Sequence, residues 1–451
     1  MTYLGHVRAV VTLGLPLIGG HLAQLAIGLT DTVMLGWFSV EALAAVTLAS
    51  SYFFVLFLMG SGFGWAVMPL VAAAEAEGDE TSIRRSTRMG LWLSIGYAVA
   101  VMPALWWSEP ILRALGQKPQ VAAMAGDYLR IAGWGMFPAL LVMVLKSYLA
   151  ALERTRTVLA IMVIAALVNA AANYALIFGQ WGAPRLGLAG AAIASIVTQA
   201  VSLIAVVAYT LRALPQHDLF RRLWRPDGEM LARVFRLGLP IGLTSLSETS
   251  LFTASALMMG WLGTIPLAAH GIAVQLASTT FMVHLGLSNV ATVRAGNAYG
   301  RRDREHMARG AAVVTGMSLA MAAATITLFL TIPETLLSLF MDADDPDRPE
   351  ILAIGVGLLA VAALFQLVDG AQVIALGLLR GVQDTAVPMV IAALAYWAVG
   401  IPASYLLGFT FGFDGIGVWL GLVLGLGCAG ILLSLRFWRF ALPLVGAIPA
   451  E

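Results

Sequence analysis

The sequence contains little charge and one cysteine. Only 11% of its 451 residues are charged, while 60% are apolar, and the mean hydropathy is +0.88. Soluble domains of this length do not have such a balance, so the composition excludes a soluble protein. The single Cys428 excludes an internal disulfide and a thiolate metal cluster. Nucleic-acid binding has no support either, because the net charge is only +1 and the arginines belong to short loops.

Long polar stretches are also missing, which leaves no room for a soluble domain. The chain instead contains twelve apolar stretches, each near or above the roughly 20 residues that a helix needs to cross a bilayer. We therefore predict an all-α integral membrane protein with twelve transmembrane helices. They cover approximately residues 10–36, 42–72, 88–107, 128–152, 157–179, 187–211, 232–260, 266–294, 309–330, 351–379, 387–411 and 415–437.

The sequence repeats itself. The motif Leu-Gly-Leu-Pro at 13–16 returns at 237–240, and the shift of 224 residues also places Gly62 on Gly286 and Asp79 on Asp303. A longer identity, Met-Val-Ile-Ala-Ala-Leu, occurs at 162–167 and again at 389–394. The chain therefore consists of two homologous halves, and in a membrane protein this organisation indicates a transporter.

Six helices per half return the chain to its starting side, so both halves insert in the same orientation. With the amino terminus in the cytoplasm, nineteen arginines lie on the cytoplasmic side and five basic residues lie on the other. This asymmetry predicts a multi-pass protein with both termini in the cytoplasm. The predicted division is a first lobe at 1–212, a cytoplasmic linker at 213–230 and a second lobe at 231–451.

Three acidic residues lie inside predicted spans. Insertion of an ionised carboxylate at the centre of a membrane helix costs about 2.5 to 3.5 kcal/mol of free energy, so each of these acids is expected to have a functional or structural role. Asp31 is late in helix 1, Glu248 is in the middle of helix 7, and Asp369 is in the middle of helix 10. In the functional alternative they attract a cationic substrate or bind the coupling ion, and the two roles can overlap. In the structural alternative Asp31 is an inert helix-end residue, and the other two are protonated acids that tie their helices together.

Helix 5 carries two amides on one face. Asn169 and Asn173 are one helical turn apart in an otherwise apolar run. Their carbonyl oxygens can bind a small cation, or their amides can hold a carboxylate that alternates between protonated and ionised forms. Pairs of asparagines also join membrane helices without any further role. In helix 1, Pro16 removes a backbone hydrogen bond and permits a bend, which suggests a hinge.

Several stretches resemble a known family. Residues 29–36, with the sequence LTDTVMLG, and residues 41–46, with the sequence EALAAV, resemble the first-helix signature of multidrug and toxic compound extrusion (MATE) proteins. Stretches similar to the bacterial NorM-type branch are 247–252, 267–270, 293–297, 369–372 and 379–385. The resemblance extends over nearly the whole chain.

The resemblance implies an antiporter with two pseudo-symmetric six-helix lobes around a central cleft. Such a protein exports cationic amphiphilic drugs by alternating access and admits Na+ or H+ in exchange, without a cofactor. It resides in the bacterial cytoplasmic (inner) membrane, in contact with the lipid bilayer. A cleft between two lobes of one chain makes a monomer sufficient.

The resemblance also implies two sites. The coupling-ion site of the first lobe matches Asp31, Asn169, Asn173 and Ser195, and Na+ would bind at the first three. The site of the second lobe, for substrate or coupling ion, matches the acids Glu248 and Asp369.

One position of the second-lobe site departs from the family. The tyrosine that lies one turn before the second acid in NorM-type members is Phe365 in this chain. This difference removes a hydroxyl group that could bind Na+. A phenylalanine ring can still stack on a cationic drug.

Two other functions remain as alternatives. A lipid-linked precursor flippase of the same superfamily would need an arginine-lined cleft, whereas the predicted spans contain acids and almost no basic residues. A membrane-embedded enzyme would need catalytic motifs. The sequence contains no nucleophile elbow, no His-Glu-x-x-His zinc pair and no phosphate loop. We therefore predict a secondary transporter and not an enzyme.

Overall fold

A computed structural model of the chain describes residues 1–447, which form helices and short turns without any strand. Twelve long helices follow the predicted apolar stretches: α1 Tyr3–Phe38, α2 Val40–Glu77, α3 Glu80–Trp106, α4 Pro119–Ala151, α5 Thr155–Phe178, α6 Leu188–Ala213, α7 Gly228–Leu262, α8 Thr264–Gly300, α9 Arg304–Thr331, α10 Arg348–Gly381, α11 Ala386–Thr410 and α12 Asp414–Leu444. Residues 448–451, which include the predicted cytoplasmic carboxyl terminus of the second lobe, lie outside the described residues.

Eleven of these helices are long and apolar enough to cross a membrane. The predicted all-α membrane fold is therefore confirmed. Helix α7 is also long, at 35 residues, but it is not among the eleven. Its middle, residues 244–255, contains Glu248 and seven serine or threonine residues, which lower its apolar character.

The repeated aspartates stabilise equivalent helix ends. Asp79 precedes α3, and its Oδ1 accepts a hydrogen bond from the backbone N–H of Ser82 at 3.0 Å. Asp303 precedes α9 and accepts from the backbone N–H of His306 at 2.9 Å. Hydrogen bonds from the hydroxyl and the N–H of Ser82 lower the pKa of the Asp79 carboxyl. This cap therefore contributes stability above the ordinary pKa of aspartate and loses it in acid.

The chain forms two compact units. The first unit is Gly19–Gly242, and the second unit comprises Met1–Ile18 together with the chain from Leu243 onward. The chain passes from one unit to the other inside α1 and again inside α7. Both crossings come two residues after the proline of the repeated motif, and they are related by the same shift of 224 residues.

These units do not coincide with the predicted lobes. The lobes place the whole of α1 in one half and nearly the whole of α7 in the other, whereas the packing assigns the beginning of each helix to the opposite unit. The division of the sequence at 213–230 describes the repeat and stays a prediction. Each unit therefore includes the beginning of one helix from the other repeat.

The glycines that recur at the 224-residue shift occupy equivalent close contacts. In the first unit, the beginning of α7 packs against α2 at Gly62, where a Cβ atom would lie 2.6 Å from the backbone nitrogen of Gly242. In the second unit, the beginning of α1 packs against α8 at Gly286, where a Cβ atom would lie 3.0 Å from the backbone nitrogen of Ile18. Only glycine allows backbones to approach this closely.

Replacing Gly62 by alanine is expected to destabilise the first unit by roughly 1 to 3 kcal/mol, because the added methyl group meets backbone that cannot move aside cheaply. Thermal unfolding of the purified protein in detergent, followed by tryptophan fluorescence, measures the effect as a lower Tm. Gly28→Ala is the matched control, since a Cβ at Gly28 meets nothing within 4 Å. Equal Tm values for the two variants would contradict the proposed role of this contact.

The apolar core of the first unit explains why the side chain of Asp31 is directed inward. Leu35, Leu129, Leu140 and Ile177 are each 0% exposed and belong to one hydrophobic cluster. Leu35 follows Asp31 by one helical turn, so both side chains lie on the same face of α1. Because this face of α1 packs into the apolar cluster, the side chain of Asp31 is also directed toward the interior of the unit.

Candidate functional site

The first unit holds an aspartate against two asparagines from another helix. Asp31 Oδ1 on α1 accepts hydrogen bonds from Asn173 Nδ2 at 2.5 Å and from Asn169 Nδ2 at 3.1 Å, both on α5. Asn173 Nδ2 also donates to Asn169 Oδ1 at 3.2 Å. Asn169 and Asn173 are fully buried, and Asp31 is partly buried. The structure thus brings these three predicted residues together. Their role in ion coupling stays a prediction.

The Asp31 cluster has acceptor oxygens that are not in use. Both hydrogen bonds to Asp31 reach Oδ1, so its Oδ2 has no donor among the described residues. Asn173 Oδ1 is buried and has no hydrogen-bond partner. A proton can bind to the vacant carboxylate oxygen, and Na+ can be held by carboxylate and amide oxygens. No group of three His, Cys, Asp or Glu side chains suited to a metal ion occurs within residues 1–447.

Ser195 lies beside Tyr128 and does not take part in the hydrogen bonds of the Asp31 cluster. Its hydroxyl donates to the carbonyl of Ala191 at 3.1 Å, within α6, and makes no hydrogen bond to Asp31. The hydroxyl also lies beside that of Tyr128, a buried residue of α4 that interacts electrostatically with Asp31. The sequence offered no sign of Tyr128, because a single tyrosine in an apolar helix usually packs into the core.

Pro16 does not interrupt α1. The helix continues from Tyr3 to Phe38 with the proline inside it. The chain leaves the second unit two residues later, between Ile18 and Gly19. Pro16 therefore lies beside the point where α1 changes its packing partners. A bend at this point would change the direction of one part of α1 relative to the other part.

The second unit holds a chain of polar side chains from three helices. Tyr396 on α11 donates its hydroxyl to Gln372 Oε1 on α10 at 2.7 Å. Gln372 Nε2 in turn donates to Glu248 Oε1 on α7 at 3.3 Å. Tyr396 and Gln372 are both 0% exposed, whereas Glu248 is half-buried. Glu248 was predicted from the sequence as a site residue, whereas Gln372 and Tyr396 were not. The glutamine was detectable as a polar residue one turn after Asp369.

Asp369 belongs to the same polar region. Its side chain is 3% exposed, and its Oδ1 is buried without a hydrogen-bond partner. It interacts electrostatically with Glu248 and with the amide of Gln372. Arg380, at the end of α10, also interacts with Glu248. Arg380 follows the predicted span 351–379, so the partial compensation of the negative charge of these acids was not predicted from the sequence.

Phe365 is part of an aromatic cluster. Its ring is 2% exposed and packs edge-on against Phe252 at 5.8 Å and Trp419 at 5.5 Å between ring centroids. The indole N–H of Trp419 donates to His270 Nδ1 at 3.0 Å. The Phe365 ring is therefore buried among neighbouring rings, and a cationic drug could stack on it only after these rings move.

Comparison with known proteins agrees with this architecture. Residues 16–175 and 240–406 match the model of the MatE family, with one match in each half of the chain. A protein from Rhizobium meliloti (strain 1021), described as a probable multidrug resistance protein NorM, is 47% identical over 447 residues. This similarity covers 99% of the present chain and 96% of the relative.

Solved structures share the fold. A crystal structure of MATE in the bent conformation superimposes with a TM-score of 0.88 at 19% identity and covers 99% of this chain and 100% of that one. A crystal structure of MATE in the straight conformation has a TM-score of 0.87 at 20% identity, with coverages of 98% and 97%. The family match and the R. meliloti relative also confirm the predicted class of protein. The chain belongs to the MATE family and is a membrane transporter, not an enzyme.

Proposed function

We propose that this transporter is an antiporter that exports cationic amphiphilic compounds and admits Na+ or H+ in exchange. The observation that carries the proposal is Asp31, a carboxylate held by two buried amides within an apolar span. Coupling to a cation needs an intramembrane group that gains and loses its charge reversibly. The name of the R. meliloti relative, a probable multidrug resistance protein, supports a drug as the exported substrate.

The proposed coupling step takes place at the Asp31 cluster. While Asp31 is ionised, the amides of Asn169 and Asn173 donate hydrogen bonds to it. A proton or Na+ that arrives from outside binds the unoccupied Oδ2 and neutralises the carboxylate. Asp31 then attracts the two amide donors less strongly, since hydrogen bonds to an ionised acceptor are the stronger ones.

We further propose that this change bends α1 at Pro16 and thereby releases the drug outward. Proline at this position lacks the N–H that would otherwise bond to the preceding turn, so bending costs less there. MATE structures of the same fold are described in a bent and in a straight conformation, which supports two accessible shapes for this fold. The lobes would alternate between access to the two sides of the membrane.

In the second unit, Glu248 and Asp369 are proposed to attract the cationic drug or the coupling ion. Gln372 interacts with both carboxyl groups, and the hydroxyl of Tyr396 fixes the orientation of the Gln372 amide. Tyr396 thus places a phenolic hydroxyl in this polar chain, although Phe365 lacks the hydroxyl typical of the family. The aromatic cluster around Phe365 would supply apolar contact area.

The proposed location is the bacterial cytoplasmic membrane, with both termini in the cytoplasm. The excess of arginine on one side of the predicted spans supports this orientation. One chain contains both proposed sites, so a monomer is sufficient for transport.

The proposed function is tested by ethidium transport in proteoliposomes, with a Na+ gradient and an H+ gradient imposed separately. Ethidium is a flat cationic amphiphile whose fluorescence reports its accumulation. We expect transport under one of the two gradients, which identifies the coupling ion. Liposomes without protein and protein without a gradient are the controls. Absence of transport under both gradients would contradict the drug antiporter and favour the lipid-linked precursor flippase.

A further inference from the structure

The segment between α6 and α7, residues 214–227, has a defined conformation. We refer to it as the linker. Three side chains of α3, spaced four residues apart and therefore on one face, donate hydrogen bonds to its backbone. Arg84 Nε donates to the backbone carbonyl of His217 at 2.7 Å. In the same way Arg88 Nε donates to the carbonyl of Leu219 at 2.7 Å, and Trp92 Nε1 donates to that of Leu223 at 2.6 Å.

The linker and α3 enclose an open cavity of about 320 Å³, which we call the linker pocket. Five arginines and one aspartate line it: Arg84, Arg88, Asp218, Arg221, Arg222 and Arg225. All of them belong to the first unit. No other class of side chain contributes to the lining, so the chemistry of the pocket is that of a cluster of guanidinium groups.

The positive charge in the linker pocket is not balanced by the protein. Asp218 is the single acid in the lining, and it forms a long ion pair with Arg221, at 3.5 Å between exposed groups. The guanidinium groups of Arg222 and Arg225 make no hydrogen bond or ion pair with any described residue. Gathering like charges costs energy. An anion in the pocket would remove that cost.

The backbone of the linker pocket is held in an unfavourable conformation. Asp218 has φ 46° and Arg222 has φ 57°, both in the left-handed region that residues other than glycine rarely adopt. Such conformations persist where surrounding contacts enforce them, and they concentrate at ligand sites. The bonds from α3 to the linker carbonyls supply that enforcement here.

The linker pocket lies at the boundary between membrane and water. Helices α3 and α6, which adjoin it, are both long and apolar enough to span the bilayer. Trp224 is 73% exposed and Trp92 is 37% exposed, and exposed tryptophans are typical of the interfacial zone. The rule of positive cytoplasmic loops accounts for arginines on this side of the membrane. It does not account for their convergence in one pocket.

We propose that the linker pocket binds the phosphate of an anionic phospholipid headgroup. Guanidinium groups form paired hydrogen bonds with phosphate oxygens, and the pocket offers several of them at headgroup depth. Basic pockets on the cytoplasmic side of membrane helices recognise anionic headgroups in this way. The bound lipid would fix the linker, and hence the connection between α6 and α7, to the cytoplasmic leaflet. This binding is independent of drug transport.

The test compares the wild type with the variant Arg221→Gln, Arg222→Gln, Arg225→Gln. Lipid binding to the delipidated protein in detergent is measured by native mass spectrometry, with phosphatidylglycerol, phosphatidylcholine and inorganic phosphate as probes. We expect the wild type to prefer phosphatidylglycerol to phosphatidylcholine. Each arginine contributes about fivefold to the binding of an anionic lipid, so the variant is expected to bind phosphatidylglycerol roughly 100-fold more weakly.

The matched control removes three exposed arginines at the junction of α8 and α9, on the same predicted side, Arg301→Gln, Arg302→Gln, Arg304→Gln, and should leave the affinity nearly unchanged. If the triple variant does not fold, the single variant Arg225→Gln tests the same proposal. It is expected to bind phosphatidylglycerol about fivefold more weakly than the wild type. Equal phosphatidylglycerol affinity in wild type and variants would overturn the proposal. Occupation by free inorganic phosphate as tight as that by the lipid would also overturn it, because the occupant would then be a soluble anion.

Discussion

Asp31→Asn is expected to abolish the coupling of drug export to the ion gradient. Asparagine is nearly isosteric with aspartate but can neither ionise nor take up a proton at neutral pH. With one Na+ or H+ exchanged for each ethidium cation, no net charge crosses the membrane, so the imposed ion gradient is the driving force. A roughly fifty-fold ion gradient supplies about 2.3 kcal/mol, enough for a drug gradient of the same size. In proteoliposomes that contain the variant, the ethidium gradient at steady state should fall to about one.

The matched control is Glu41→Gln, which removes an exposed acid from the first turn of α2. It should transport like the wild type. Asp31→Glu keeps the negative charge but lengthens the side chain. Coupled transport by this variant would show that ionisation at this position is sufficient, whereas its loss would show that the geometry of the carboxylate is also required. Coupled transport at the wild-type rate in Asp31→Asn would refute the role of this carboxylate and move coupling to Glu248 and Asp369.

Glu248→Gln is expected to weaken ethidium binding to the purified transporter roughly tenfold to 100-fold. The substitution keeps the size of the side chain and its contact with Gln372 but removes the negative charge that would attract a cationic drug. Equilibrium titration of ethidium fluorescence gives the affinity. Asp369→Asn, measured in the same way, shows whether both acids contribute. Unchanged affinity in Glu248→Gln would contradict its role in drug binding.

The Tyr396 hydroxyl can be examined within the same titrations. Tyr396→Phe removes the donor that orients Gln372, and a hydrogen bond of this kind is worth about 1 kcal/mol, or about fivefold in affinity. Tyr405→Phe is the matched control, because Tyr405 is on the same helix but 49% exposed. A loss in Tyr396→Phe but not in Tyr405→Phe would show that the polar chain positions Glu248.

Much of the first-unit site was predictable. The pair Asn169 and Asn173 lies on one helical face by its spacing alone, and Asp31 is conspicuous because an acid is rare in an apolar span. That these three side chains meet was an expectation from the family resemblance, and the hydrogen bonds between them now supply the geometry. Tyr128 was missed, since its place beside Ser195 and near Asp31 depends on how α4 and α6 pack.

The second-unit site was less predictable. Glu248 and Asp369 were identified because they are acids within spans, but the sequence has no pattern that links Gln372 to Tyr396 or brings Arg380 near Glu248. These residues belong to α7, α10 and α11, and their meeting depends on which faces of the three helices are turned toward one another. Phe365 was predicted from the resemblance as a drug contact, yet its surrounding rings are visible only in the folded chain.

The sequence by itself determined the number and order of the helices, the repeat and the acids that need an explanation. Each of these depends on local composition, because a segment of about 20 apolar residues prefers the bilayer whatever surrounds it. Only the tertiary structure decided that the beginnings of α1 and α7 pack in opposite units, that Gly62 and Gly286 allow this packing, and that arginines far apart in sequence line one pocket. Those features depend on contacts between distant segments, and such contacts exist only after the helices have packed.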